Sequence, residues 1–230
     1  MGNLRGPAQS WAFSQHRLCL GGSARYILSR MSESLPRNPP RIALVRHARS
    51  SHVNTGWIDA AGFRAWREAY EAAGVQDGER APASVEALAK EAGLIVARDA
   101  PRAAETARLL APGRDIGLSP LLRELDLESP GLGGVRLPLL AWAFAVGGRI
   151  LAQTIRGRYP SALEVARIHA AATWLENLAV QNGLVVAVTH ASFRRRLAAR
   201  LVKDGWQAEP GRRSVRHWSA WLFTYSAVRT

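Results

Sequence analysis

From Arg41 onward, short continuous apolar runs alternate with longer stretches of helical spacing. Ile42-Ala43-Leu44-Val45 is the first run, entered through Pro39-Pro40. Leu94-Ile95-Val96 and Leu184-Val185-Val186-Ala187-Val188 follow, each preceded by a glycine, Gly93 and Gly183. Short runs bounded by turn formers read as strands buried on both faces, the habit of a parallel sheet. Phe63, Trp66, Tyr70 and Ala73 keep a 3/4 spacing behind Asp59, a candidate N-cap, and predict a helix over 59–73. Further helices are expected over 84–92, 101–110, 161–181 and 191–203. From Trp218 to Tyr225 apolar and polar residues alternate, as in an edge strand. The alternation of strand and helix makes this an α/β chain with a mainly parallel sheet.

Two stretches fall outside that rhythm. Leu137 to Ala152 is strongly apolar but is interrupted by Gly147-Gly148-Arg149 and is shorter than the ~20 residues a bilayer span requires. It reads as a buried or cleft-lining helix, with an interfacial membrane helix as the less favoured alternative, and no membrane span is expected. Residues 1–40 are rich in Gly, Ser and Pro, have no acid before Glu33 and keep no apolar period. They read as a leader or disordered arm, either an organelle transit segment or, preferably, an extension upstream of a true start at Met31. The folded domain is expected to span 41–230.

Composition narrows the classes. With 47% hydrophobic residues the chain can bury one sizeable core. Its single cysteine, Cys19, lies in the arm, so no internal disulfide or cysteine-bound zinc is expected, and a cytoplasmic location needs no special pleading. The net charge of +13 first suggests a polyanion partner, but the excess sits at the two ends and the middle is nearly neutral. Without RNA-binding signatures or aromatics clustered among the basic runs, no nucleic-acid partner is expected. The triplet Arg194-Arg195-Arg196 opens a helix whose buried face is Phe193, Leu197 and Leu201, leaving most of the triplet to solvent.

The chemistry gathers at strand ends. The first run closes in Arg46-His47-Ala48 and the last in Thr189-His190-Ala191, so two strands each deliver a histidine where open parallel sheets bind ligands. Directly after the second run comes Arg98-Asp99-Ala100-Pro101-Arg102-Ala103-Ala104-Glu105-Thr106-Ala107. In this order the pieces resemble the histidine phosphatase superfamily, also called phosphoglycerate mutase-like. That family carries Arg-His-Gly/Ala after strand one, Ser-Asp-x-x-Arg-Ala-x-x-Thr-Ala after strand two and a distal His-Gly/Ala.

The resemblance runs from about Arg41 to Tyr225 and implies a three-layer sandwich, with His47 as nucleophile, Arg46 and Arg102 holding phosphoryl oxygens and His190 completing the pocket. The physics agrees, because phosphoryl transfer asks for in-line positioning and for cations around the equatorial oxygens. The family's leaving-group acid maps onto Arg123-Glu124-Leu125-Asp126-Leu127-Glu128, where Glu124 fits the Leu-x-Glu pattern and Asp126 and Glu128 stay open. Departures are Ala48 and Ala191 for the commoner glycines, Arg98 for a serine, Val53 where an asparagine is common and no Gly-x-Trp-x-Gly. They argue against a dedicated glycolytic mutase.

The implied activity is phosphomonoester hydrolysis through a phosphohistidine, on a small phosphorylated substrate or a phosphoprotein. A phosphohistidine-protein phosphatase, a mutase-like phosphotransferase and a non-catalytic phosphate-binding protein are the alternatives. No cofactor or metal is expected: His16, His169 and His217 lack metal-ligand spacing. Arg49, which follows the nucleophile, reads either as a substrate contact or as a solvated loop arginine, and His52 lies near the site in sequence. The stretch from Asp59 to Val75 is a candidate lid.

Overall fold

The structure, a computed structural model, describes residues 38–52, 56–126, 130–210 and 214–225. The arm with Cys19, His16 and Met31, and likewise Val53 and Glu128, lies outside the described residues. The elements run β1 (Arg41–Arg46), β2 (Trp57–Ile58), α1 (Ala60–Ala72), α2 (Ala83–Glu91), β3 (Leu94–Ala97), α3 (Pro101–Leu110) and β4 (Gly117–Leu118). After a 3-10 turn (Pro120–Leu122) come β5 (Leu137–Pro138), α4 (Leu139–Ile155), α5 (Ala162–Asn182), β6 (Leu184–Thr189), α6 (Ala191–Lys203), β7 (Trp206–Ala208) and β8 (Ala220–Tyr225).

The six-stranded sheet has the order β4-β3-β6-β1-β8-β7. β4, β3, β6 and β1 are parallel, whereas β8 runs antiparallel to β1 and β7 antiparallel to β8. Alternate strand residues point to opposite faces. Ile42, Leu44, Val185 and Ala187 pack with Leu175 of α5 and with Phe193 and Leu197 of α6. Ala43, Val45, Val186 and Val188 pack with Ala89 of α2 and Ala103 and Ala107 of α3. The result is a three-layer α/β sandwich.

Local chemistry sets the element ends. Asp59 caps α1 by accepting from the Gly62 amide at 2.8 Å, and Ser161 and Glu164 form a reciprocal capping box on α5. Gly183, at φ +73°, turns α5 into β6, a conformation few side chains tolerate. Gly93 is needed for space, since a Cβ there would lie 2.2 Å from the Asn182 carbonyl oxygen.

Two expectations need correction, and one residue of the basic triplet stands apart from the other two. The final strand is not at the edge: β7 covers it, and it starts at Ala220 because Trp218 adopts φ +61°. The apolar segment becomes α4, yet only Trp142 and Val146 are buried on it, so most of its apolar surface faces outward. These two pack against Phe63 of α1 in a small separate core. Arg194 is fully buried, because its guanidinium donates to the carbonyls of Ser219 (2.5 Å) and Ser214 (2.9 Å) and lies over the Trp221 ring. Arginine buries well where backbone carbonyls surround it, which periodicity alone does not reveal.

Candidate active site

Parallel pairing of β1 with β6 sets Arg46 beside Thr189, so the next residues, His47 and His190, leave the sheet side by side. Their ring centroids are 4.6 Å apart, and each residue is 2% exposed. Both lie in a cavity of about 410 Å³ that also takes in Arg46, Arg98, Arg102 and Glu124. The structure thus brings together all five residues singled out from the strand-end motifs and the acidic segment. Asp126 also lines this cavity, but Arg49 points away to Glu79 and His52 packs on Trp66.

The tautomer of His47 follows from its surroundings. Its Nδ1 lies 2.6 Å from the Ala48 carbonyl oxygen, which can only accept, so Nδ1 carries the proton and Nε2 keeps a free lone pair. Burial, reinforced by Arg102, holds its pKa well below the usual imidazole range, so the ring is neutral. The same holds for His190, with burial first and His47 and the arginines next.

A neutral His190 is left with an unsolved contact. Arg98 Nη1 approaches its Nε2 at 2.9 Å and Arg102 Nη2 approaches its Nδ1 at 3.4 Å. Neutral imidazole accepts at one nitrogen only, so one of these contacts sets donor against donor. The Nε atoms of Arg46, Arg98 and Arg102 are buried and without a hydrogen-bond partner. Three guanidiniums and a mismatched donor pair therefore give the cavity an excess of positive charge and of hydrogen-bond donors.

The rest of each arginine is firmly held. Arg102 donates to the carbonyl of Tyr70 at 2.6 Å and to the Glu71 carboxylate at 2.9 Å, and its guanidinium lies over the Tyr70 ring. It thereby satisfies carbonyls at the end of α1, where positive charge is favoured. Arg98 donates to the other Glu71 oxygen. Burial would raise the Glu71 pKa, but the two arginines outweigh it and hold the carboxyl below its usual value. Behind them Phe63, Trp66 and Tyr70 stack along α1, as the 3/4 spacing requires. Thr106 links two motifs, its hydroxyl donating to the Arg102 carbonyl (2.5 Å) and accepting from the Ala48 amide (3.0 Å).

Glu124 sits at the start of α6. The amides of Phe193 (2.8 Å) and Ser192 (3.4 Å) donate to its carboxyl oxygens. It serves as the cap that His190, in the N-cap position, does not provide. Desolvation raises its pKa although three backbone amides oppose the shift. Burial thus favours the protonated form of this carboxyl more than it would be favoured in water, in the same cavity as the His47 ring.

Arg98, Glu71 and His217 went unread in the sequence as site residues. Arg98 was visible as a departure from the motif. Glu71 lay on the polar side of a helix assigned by its apolar side. His217 donates to the His47 carbonyl at 3.1 Å and its ring lies 5.3 Å from that of His47, a contact made by the chain's return to β8. Among the described residues no group of three or more His, Cys, Asp or Glu side chains is placed to hold a metal ion.

No family model matches the chain, and no curated protein matches it. It is similar to the solved structure of a mycobacterial glucosyl-3-phosphoglycerate phosphatase with inorganic phosphate (22% identity, TM-score 0.47, 71% of this chain and 79% of that one). It is also similar to a phosphoserine phosphatase from Entamoeba histolytica in complex with 3-phosphoglyceric acid (13% identity, TM-score 0.44, 71% and 80%). A third is the alpha-ribazole phosphatase from Shigella flexneri (16% identity, TM-score 0.40, 70% and 79%). All three are phosphatases by description.

Proposed function

We propose that the chain is a phosphomonoesterase of the histidine phosphatase kind, acting through a phosphohistidine on His47. The observation that carries this reading is the neutral His47 ring, with its proton fixed on Nδ1, in a cavity that Arg46, Arg98 and Arg102 also line.

A phosphomonoester places its phosphoryl group among Arg46, Arg102 and His190, and Nε2 of His47 attacks phosphorus opposite the ester oxygen. The cations spread the charge that develops on the equatorial oxygens. As the P–O bond breaks, Glu124 gives its proton to the departing oxygen. Water then attacks the phosphohistidine, Glu124 takes back a proton, and phosphate and neutral His47 are restored. Every role is filled by a side chain, so turnover in EDTA is expected to equal turnover without it. A panel of phosphorylated metabolites and phosphopeptides, assayed with and without EDTA, tests both substrate and metal requirement. Loss of turnover in EDTA, restored by zinc or magnesium, would refute the mechanism.

A further inference from the structure

The outward face of α4 has no role in the reaction above. Leu140, Phe144, Leu151 and Ile155 are 70%, 74%, 62% and 78% exposed. At 100° per residue they fall within an arc of about 60° and run about 22 Å along one side of the helix. Gly147 and Gly148 interrupt the row, and a Cβ added at either would meet nothing within 4 Å, so the side is open along its length. The opposite side is the one that buries Trp142 and Val146 against Phe63.

Charge along this stretch of the chain has one sign. The sequence holds no acid between Glu128 and Glu164, while Arg136 precedes the helix and Arg156 and Arg158 follow it, all three exposed. Trp57, 61% exposed, pairs in register with Pro138, the residue that opens α4. An apolar stripe with arginines at both ends and a tryptophan at one margin matches an anionic lipid surface, where apolar side chains enter the acyl boundary and cations meet headgroups. A second copy of the chain fits poorly. Two-fold pairing of this stripe, parallel or antiparallel, sets arginines against arginines with no acid on the helix to neutralise them.

We infer that α4 lies flat on anionic membrane surfaces, embedding Leu140, Phe144, Leu151 and Ile155 without spanning the bilayer. Because Phe63 and Trp66 of α1 pack against α4, the membrane-facing helix backs the wall of the candidate active site. The inference is independent of the proposed reaction.

The test is co-sedimentation of the full chain with vesicles of phosphatidylcholine alone and of phosphatidylcholine with phosphatidylglycerol, at about 0.1 M salt. The wild-type chain is expected to partition at least about 10-fold more strongly to the anionic vesicles. Phe144→Asp/Leu151→Asp and, separately, Arg156→Glu/Arg158→Glu should each weaken that binding by about 10-fold or more, with unchanged circular dichroism and urea midpoint. Binding left intact in Phe144→Asp/Leu151→Asp would place it in the basic termini and overturn the inference. So would absence of binding to either vesicle, or a wild-type dimer that becomes a monomer in that variant.

Discussion

His47 and His190 enter the cavity from β1 and β6, strands paired residue for residue in the middle of the sheet. Glu71, Tyr70 and Trp66 enter it from α1, a helix with one buried residue, Phe63. The first pair forms a floor whose backbone cannot shift without moving the core on both sheet faces. The second group forms a wall held by an aromatic stack and by ion pairs to Arg98 and Arg102. The difference separates fixed chemistry from adjustable access, since close-packed strands tolerate little displacement and a half-exposed helix tolerates more.

The largest test of this comparison is on the floor. His47→Ala removes the proposed phosphoryl acceptor, and arginines stay protonated, so turnover should fall to background. A quench in alkaline detergent with p-nitrophenyl phosphate should trap phosphoenzyme in wild type and none in His47→Ala. Next in size, Glu124→Gln should slow alkyl phosphates by ~10²–10⁴-fold and p-nitrophenyl phosphate far less. Equal losses on both substrates would move the proton donor to Asp126 or Glu128.

A smaller effect appears in stability. His47 and His190 are held well below the ordinary value of 6.5, so the unfolded chain binds protons that the folded chain refuses. Their contribution is complete above pH 6.5 and is lost as pH falls toward their folded values. Urea midpoints should reveal a loss of about 1 kcal/mol per histidine for each pH unit below that range, with a shallower slope in His190→Gln. The smallest change is expected at the wall. Glu71 is 41% exposed and acts as an anion between Arg98 and Arg102, so Glu71→Gln should tighten inhibition by inorganic phosphate several-fold. It should shift stability by less than about 1 kcal/mol. Weaker phosphate inhibition in that variant would make Glu71 a support for the arginines rather than a competitor.

The floor was legible in the sequence because short apolar runs ending in Arg46-His47 and Thr189-His190 fix strand, direction and side-chain position together. The helices 101–110 and 191–203 coincide with α3 and α6 for the same reason, with a polar motif entering a regular apolar face. The wall was less legible. Glu71 and His217 become part of the site only through tertiary contacts, and neither has an apolar period to betray it. The burial of Arg194 was not legible because its partners are the backbone carbonyls of Ser214 and Ser219, which no side-chain pattern records. The outward face of α4 was misjudged because hydropathy measures apolarity without its direction.

The position of Glu124 at the head of α6 has a consequence for how often the site can be reused. An acid that has donated its proton is left charged in a poorly solvated place, and that cost would ordinarily hold back the donation. Here the Ser192 and Phe193 amides face the carboxyl oxygens, and they bind its charged form more strongly than its neutral form. Burial and the helix start therefore pull in opposite directions, with burial the stronger. In the proposed cycle the amides lower the cost of giving the proton, and burial favours its return. The first turn of α6 acts as the counterweight.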